Sequence, residues 1–278
     1  MNKLNILVSH PYLDKTTIEY MGEHARKINL LIDSGAFTAF NNGKPVGLKD
    51  YYNSLREVKG MNPQYFTLDV IGQKDKTINN YKRMLDDGYR PIPIFTPGQT
   101  GDVLDFYYEN SEVVAVGGLG SVQSKLGYLK NLMAQIGDRK THWLGFSNQN
   151  YLRHYKPFSC DVSSHTVSKR FKTLNVYMGQ GKWKILTIQE LRERPSRRIL
   201  DTIRRYGVDP RDLLTEENWA NCWARRPANA KISARGWVKY AHDIQRITGT
   251  KYYFACTSPH DVRDLVEAFT LQTNAQPG

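Results

Sequence analysis

Three aspartates in this chain stand at or near the ends of apolar runs. Asp33 closes Leu30-Leu31-Ile32-Asp33, Asp69 closes Tyr65-Phe66-Thr67-Leu68-Asp69, and Asp161 lies in Phe158-Ser159-Cys160-Asp161-Val162. A carboxylate ending a buried strand is costly unless it faces a polar cavity or finds a partner. The repeated placement predicts one shared cavity, with the chain organised around Ser159–His165 and its Asp161. A cavity mouth lined by carboxylates suits nucleophilic and acid–base work at an acetal-like carbon. One carboxylate attacks the anomeric carbon and forms an ester, while another manages the leaving group's proton. That logic serves sugars and nucleosides alike. Gly117-Gly118, at the end of Val113-Val114-Ala115-Val116, lets a flat group approach the backbone and be read by its N–H groups, or serves as a phosphate nest. Phe37, just after Asp33, offers a ring on which a base can stack. Each acid also has a plainer use. Asp33 can cap the following helix, Asp69 can cap a helix or join a salt bridge, and Asp161 can be an ordinary loop acid.

The elements that must position these residues follow from hydrophobic periodicity. Short β-branched or aromatic runs at 5–9, 30–33, 65–70, 91–95, 113–116, 142–146, 158–162 and 252–257 read as strands. Amphipathic stretches at 48–58, 77–87, 100–108 and 120–136 read as the helices between them. The alternation predicts an α/β fold, a (β/α)8 TIM-like barrel, whose active site lies at the C-terminal strand ends. Asp33, Asp69, Gln99, Gly117, Gly118, Gly145 and Asp161 all fall at or just past such ends. An open doubly wound sheet is the structural rival, but no Gly-x-Gly-x-x-Gly opens a helix after the first strand.

The rhythm breaks between the seventh and eighth strands, where residues 163–249 exceed what one crossover requires. The chain therefore reads as a single domain over 1–278 with 163–249 as an inserted basic subdomain. Runs at 174–178 and 183–186 around Gly179-Gln180-Gly181 predict a hairpin, followed by stretches at 188–193 and 197–206, a tryptophan-rich piece at 218–223, and a helix at 235–248. Residues 151–240 hold 19 Lys/Arg against 8 Asp/Glu, or +11 of the chain's net +12. Such a field favours a polyanion, and arginine with interleaved tryptophan and tyrosine suits phosphates and unstacked bases. His165, Lys169, Arg170, Arg197, Arg198, Arg204 and Arg205 are the expected nucleic-acid contacts, with a solvated basic surface as the plainer alternative. Three widely spaced cysteines predict no disulfide framework and a reducing, cytoplasmic setting. The opening residues lack a signal-peptide pattern, and no run is long and apolar enough to span a membrane.

Asp33-Ser34-Gly35-Ala36-Phe37, Val116-Gly117-Gly118-Leu119, Leu144-Gly145-Phe146 and the Asp161 segment, in this order and at these intervals, resemble the tRNA-guanine transglycosylase superfamily. The likeness extends through residues 252–269 to nearly the whole chain. It implies that Asp161 is the nucleophile at C1′ and Asp33 the acid/base group. Asp69 would bond the Watson–Crick edge of the purine, with Gln99 and the Gly117–Gly118 backbone reading the rest. Phe37 and Leu144 would sandwich the base. The family's tRNA enzymes bind structural zinc through cysteines and a histidine in the insertion. Here Cys222 stands there alone, with His242 following, and cannot fill a tetrahedral site. The expectation is no cofactor and no metal, with the subdomain ordered around Trp219, Trp223 and Trp237. A compact, basic chain lacking the zinc ligands is most similar to the phage-type 7-deazaguanine DNA transglycosylases. The implied reaction replaces guanine in DNA by a free 7-deazaguanine base such as 7-cyano-7-deazaguanine. The alternatives are exchange in tRNA, a catalytically idle nucleic-acid-binding barrel, and a hydrolytic nucleosidase or glycosidase.

Overall fold

The computed structural model describes residues 3–119, 125–193, 195–215 and 228–274. The chain separates into two compact units, one built from 2–162 and 248–257, the other from 163–247 and 258–278. Its strands are β1 (Leu4–Ser9), β2 (Ile28–Asp33), β3 (Gln64–Tyr65), β4 (Ile94–Phe95), β5 (Val113–Val116), β6 (Lys140–Trp143), β7 (Ser159–Val162), β8 (Leu174–Gly179), β9 (Lys182–Leu186) and β10 (Lys251–Cys256). The α-helices are α1 (Lys15–Glu23), α2 (Ala36–Asn42), α3 (Leu48–Glu57), α4 (Lys74–Asp86), α5 (Gly101–Asn110), α6 (Lys125–Ile136), α7 (Gln149–Tyr155), α8 (Val167–Phe171), α9 (Ile188–Arg192), α10 (Arg197–Arg205), α11 (Ala228–Thr248) and α12 (Pro259–Asn274).

The first unit holds an eight-stranded sheet in the order β3-β2-β1-β10-β7-β6-β5-β4, with every pairing parallel. A parallel bridge between Phe66 and Ile92 links the chain just past β3 to the chain just before β4, and Ile92 N–H donates to the Tyr65 carbonyl at 2.8 Å. The result is a curled, all-parallel α/β sheet, compatible with a TIM-like fold. All four residues of β5 are buried, as a parallel strand covered on both faces requires. Alternation assigns the inner face: Leu7, Leu31, Ile92, Ile94, Val113, Ala115, Phe66 and Tyr253 form one cluster, with Leu144 packed against it. Two residues further along their strands, Ser9, Asp33 and Gly117 continue that face, and Asp161 joins it as the register partner of Tyr253.

The segment expected as a strand over 65–70 pairs only to Thr67. Side chains take the next amides: Ser34 Oγ lies 3.5 Å from Asp69 N, and Thr77 Oγ1 accepts from Val70 N–H at 3.0 Å. Pro91 and Pro93 shorten the following strand by removing two donors. The strand expected at 142–146 begins earlier and ends at Trp143, because Gly145 turns the chain at φ +61°.

The second unit contains the expected hairpin, β8 with β9 antiparallel, turning through Gly179-Gln180-Gly181, all with positive φ. Its core joins Leu174, Val176 and Leu186 to Leu191, Ile199, Ile203, Leu213 and Ile232. Tyr177, Trp183, Trp237 and Tyr240 form an aromatic cluster, with Trp183 and Trp237 centroids 4.4 Å apart. Gly236 permits this contact, since a Cβ there would lie 3.3 Å from both Trp183 and the Asn175 carbonyl. Trp237 thus orders the unit with Trp183, whereas Trp219, Trp223 and Cys222 lie outside the described residues. Helix α11 begins before the expected 235. Its first turns are anchored by Asn229, which donates to the Thr173 carbonyl at 3.0 Å, and by Ser233, which accepts from Asn175 N–H at 3.0 Å. Among the described residues, no helix is long and apolar enough to cross a membrane.

Candidate active site

Asp33 is the last residue of β2, and its register partner on β1 is Ser9. Parallel register therefore places a hydroxyl beside the carboxylate: Ser9 Oγ donates to Asp33 Oδ2 at 2.9 Å, and Gly35 N–H donates to the same oxygen at 2.9 Å. Only glycine fits at 35, where φ is +77° and a Cβ would sit 2.4 Å from Pro11 Cδ. Asp33 bonds the amide of Gly35, the N-cap residue of α2, and not the amides of the first helical turn, so the expected helix-capping role is not seen. Burial raises the Asp33 pKa above the ordinary carboxylate range. The bonds from Gly35 and Ser9 oppose that rise, and the charges of Asp161 and Asp69 add to it. The expected trio of acids therefore shares one electrostatic neighbourhood.

Asp161 lies on β7 with its side chain on the inner face. His142 Nε2 is 3.1 Å from Asp161 Oδ1, and Gly145 N–H donates to the same oxygen at 3.0 Å. The other imidazole nitrogen, Nδ1, is 2.8 Å from Ser159 Oγ. Ser159 and Asp161 share a face by the two-residue period, and His142 is the register partner of Ser159 on β6. An ionised Asp161 requires Nε2 to carry the proton, so Nδ1 accepts from the Ser159 hydroxyl when the ring is neutral. Among the described residues, Asp161 Oδ2 and Asp33 Oδ1 receive no protein hydrogen bond, which leaves one oxygen of each acid for a ligand.

Asp69 Oδ1 accepts from Thr77 Oγ1 at 2.6 Å, so α4 positions this acid. Burial raises its pKa, while the Thr77 bond and the Val70 amide pull it down. Neither a helix cap nor a salt bridge holds it among the described residues. Gln99 is turned onto its own loop, with Oε1 accepting from Thr96 N–H at 2.8 Å and Nε2 3.4 Å from the Tyr107 hydroxyl. Gly117 differs from expectation. Its N–H donates to the Phe95 carbonyl at 2.9 Å and is spent on the sheet, so it supplies space and not a donor. A Cβ there would approach Ile94 Cγ2 to 3.3 Å. Gly118 takes φ +71° just beyond. Leu144 N–H donates to the Val116 carbonyl at 3.0 Å, and its side chain packs on the inner-face cluster. Phe37, on α2, is 69% exposed.

Two expected nucleic-acid contacts are corrected. His165 and Lys169 are buried, and Lys169 Nζ lies 2.7 Å from Asp261 and 3.4 Å from Asp264. A lysine engaged by two buried carboxylates is an internal counter-ion, so neither residue presents itself to a phosphate. Arg170 is exposed and bonds Thr166 Oγ1 at 3.1 Å. Arg197, Arg198, Arg204 and Arg205 are exposed on α10, while Ile199, Thr202 and Ile203 are buried.

His142 was not singled out from sequence. Its signal is a Ser-x-Asp pair whose two polar side chains share one strand face, which asks for a polar partner on the neighbouring strand. Among the described residues, no three His, Cys, Asp or Glu side chains are grouped as metal ligands would be. No protein-family model, curated protein or solved structure matches this chain.

Proposed function

We propose that this protein is a base-exchange transglycosylase that replaces guanine in DNA by a free 7-deazaguanine base through an Asp161–nucleotide ester. The observation that carries the reading is the asymmetry of Asp161. His142 and Gly145 hold Oδ1, while Oδ2 receives no protein hydrogen bond, and the charge of Asp161 acts on Asp33, a partly buried acid whose pKa is raised. The sheet is read as a closed (β/α)8 barrel, a reading supported by the Phe66–Ile92 bridge between β3 and the approach to β4. The acids then stand at its C-terminal mouth.

In the first step an Asp161 Oδ2 electron pair bonds C1′ and the C1′–N9 bond breaks. The departing guanine takes its proton from Asp33, which a raised pKa keeps available as an acid. In the second step the incoming base gives its N9 proton to Asp33 and its N9 electron pair to C1′. The C1′–Oδ2 bond breaks and both carboxyl groups regain their starting states. One N-glycosidic bond is exchanged for another, so the cycle needs no energy donor. Asp69 is assigned to the purine edge, with Gly117 leaving room for the ring; Gln99, turned onto its own loop, would have to release the Thr96 amide to join it. The net +12 charge, concentrated in the insertion, supports a polyanionic substrate. Extruding a paired guanine costs a few kcal/mol, which backbone contacts offset.

The test is incorporation of labelled guanine or 7-cyano-7-deazaguanine into duplex DNA, single-stranded DNA and tRNA. The expected result is label in DNA that disappears with Asp161→Asn. Label in tRNA alone would move the substrate and keep the chemistry. No label in any polymer would overturn the proposal.

A further inference from the structure

Large apolar side chains are exposed at six described positions, Phe37, Phe40, Phe171, Ile185, Ile247 and Leu271. Only Phe37 and Phe40 share an element, the short helix α2 that leaves Asp33. At 69% and 64% exposure their rings are largely in water, and the i, i+3 spacing puts them on one helix face. Asn41 and Lys44, both exposed, follow along the same segment. From Ser34 to Lys49 the chain carries Lys44 and Lys49 and no carboxylate, between Asp33 and Asp50. Gly35, the N-cap residue of α2, takes φ +77° where a Cβ would collide with Pro11.

Two exposed rings followed within four residues by an exposed amide and an exposed ammonium, in a stretch of sequence without an acid, match an unstacked nucleic-acid strand: bases on the rings, phosphate on the lysine. A partner peptide would have to be matched to the same flat, cationic face without an acidic residue to pair with its own cations. We propose that Phe40, with Asn41 and Lys44, is a stacking platform for an unpaired base of the target strand next to the reacting nucleotide. Phe40 lies about 4.5 Å further along the helix axis than Phe37, roughly one step along an opened strand. The proposal rests on the polynucleotide substrate above and deepens it: the strand is engaged in an unstacked, locally single-stranded form.

The test is equilibrium binding, by the full chain carrying Asp161→Asn, of a short single-stranded oligodeoxynucleotide with 2-aminopurine beside its one guanine. Phe40→Ala should weaken binding about tenfold and abolish the change in 2-aminopurine emission, while Phe40→Trp keeps both. Phe40→Leu binding like Phe40→Trp would show plain apolar cover and overturn the platform. So would unchanged binding by Phe40→Ala, or a dimer that dissociates in sedimentation when Phe40 is replaced. Binding is read without turnover, so the two proposals fail separately. Exchange with Phe40-independent binding removes only the platform, and Phe40-dependent binding without exchange removes only the transglycosylase.

Discussion

Both units bury carboxylates, and they treat them in opposite ways. In the second unit Asp261 and Asp264 close on Lys169, whose ammonium lies 2.7 and 3.4 Å from them. In the sheet unit, Asp33, Asp69 and Asp161 have no lysine or arginine partner among the described residues. Their donors are a serine, a threonine, a histidine and backbone amides. A buried ion pair satisfies itself and serves the scaffold. Acids held by hydroxyl, imidazole and amide groups keep spare acceptor capacity, and burial raises the pKa of Asp33 and Asp69. Charge compensation, more than burial, separates the candidate site from the scaffold here.

Breaking the comparison at Asp161, the proposed nucleophile, should have the largest effect. Asp161→Asn preserves the acceptor for His142 and Gly145 yet removes the attacking oxygen, so label exchange should fall about 10⁴-fold or more with an unchanged circular dichroism spectrum. Lys169→Met should cost about 3–5 kcal/mol in urea unfolding, because two buried carboxylates lose their cation. Adding Asp261→Asn and Asp264→Asn should return much of that loss. Retained stability in Lys169→Met, with weaker DNA binding, would restore the lysine as a phosphate contact.

Asp33→Asn sharpens the contrast, since activity and stability should move apart. Exchange should drop about 10²–10⁴-fold while stability near neutral pH rises by about 1 kcal/mol. The sign follows from the raised folded-state pKa. Stability from a protonated Asp33 is fully present below the ordinary carboxylate pKa and is lost as pH rises through the higher folded value. The pH dependence of urea unfolding should therefore be shallower in Asp33→Asn than in the wild type. The smallest effect belongs to the outer face of α10. Arg198→Ala and Arg205→Ala should each change stability by less than about 0.5 kcal/mol. Each should also reduce the slope of log binding constant against log salt by about 0.9. An unchanged slope would remove α10 from the nucleic-acid contacts.

Much of the fold was legible because it is written in short-range periods. Leu30-Leu31-Ile32-Asp33 and Val113-Val114-Ala115-Val116 read as buried strands, and Gly179-Gln180-Gly181 announces the hairpin that β8 and β9 form. The acids at strand ends were legible for the same reason, since an ionisable group in an apolar run stands out locally. The roles of His142, Gly117 and Lys169 were not. His142 is separated by 19 residues from Asp161, and Lys169 by 92 from Asp261, so no local pattern joins them. Lys169-Arg170 looks like a basic surface pair, yet the two side chains part, one inward and one outward.

The sequence by itself determined which segments alternate as strands and helices, where glycine must turn the chain, and which polar residues interrupt apolar runs. These follow from backbone sterics and side-chain period within a few residues. Only the tertiary structure decided which oxygen of Asp161 is held, that the Gly117 amide is spent on Phe95, and that Lys169 is an internal counter-ion. Those outcomes depend on register between distant strands and on which face each helix buries. The same side chain is a ligand contact or a scaffold element according to what the far end of the chain brings beside it.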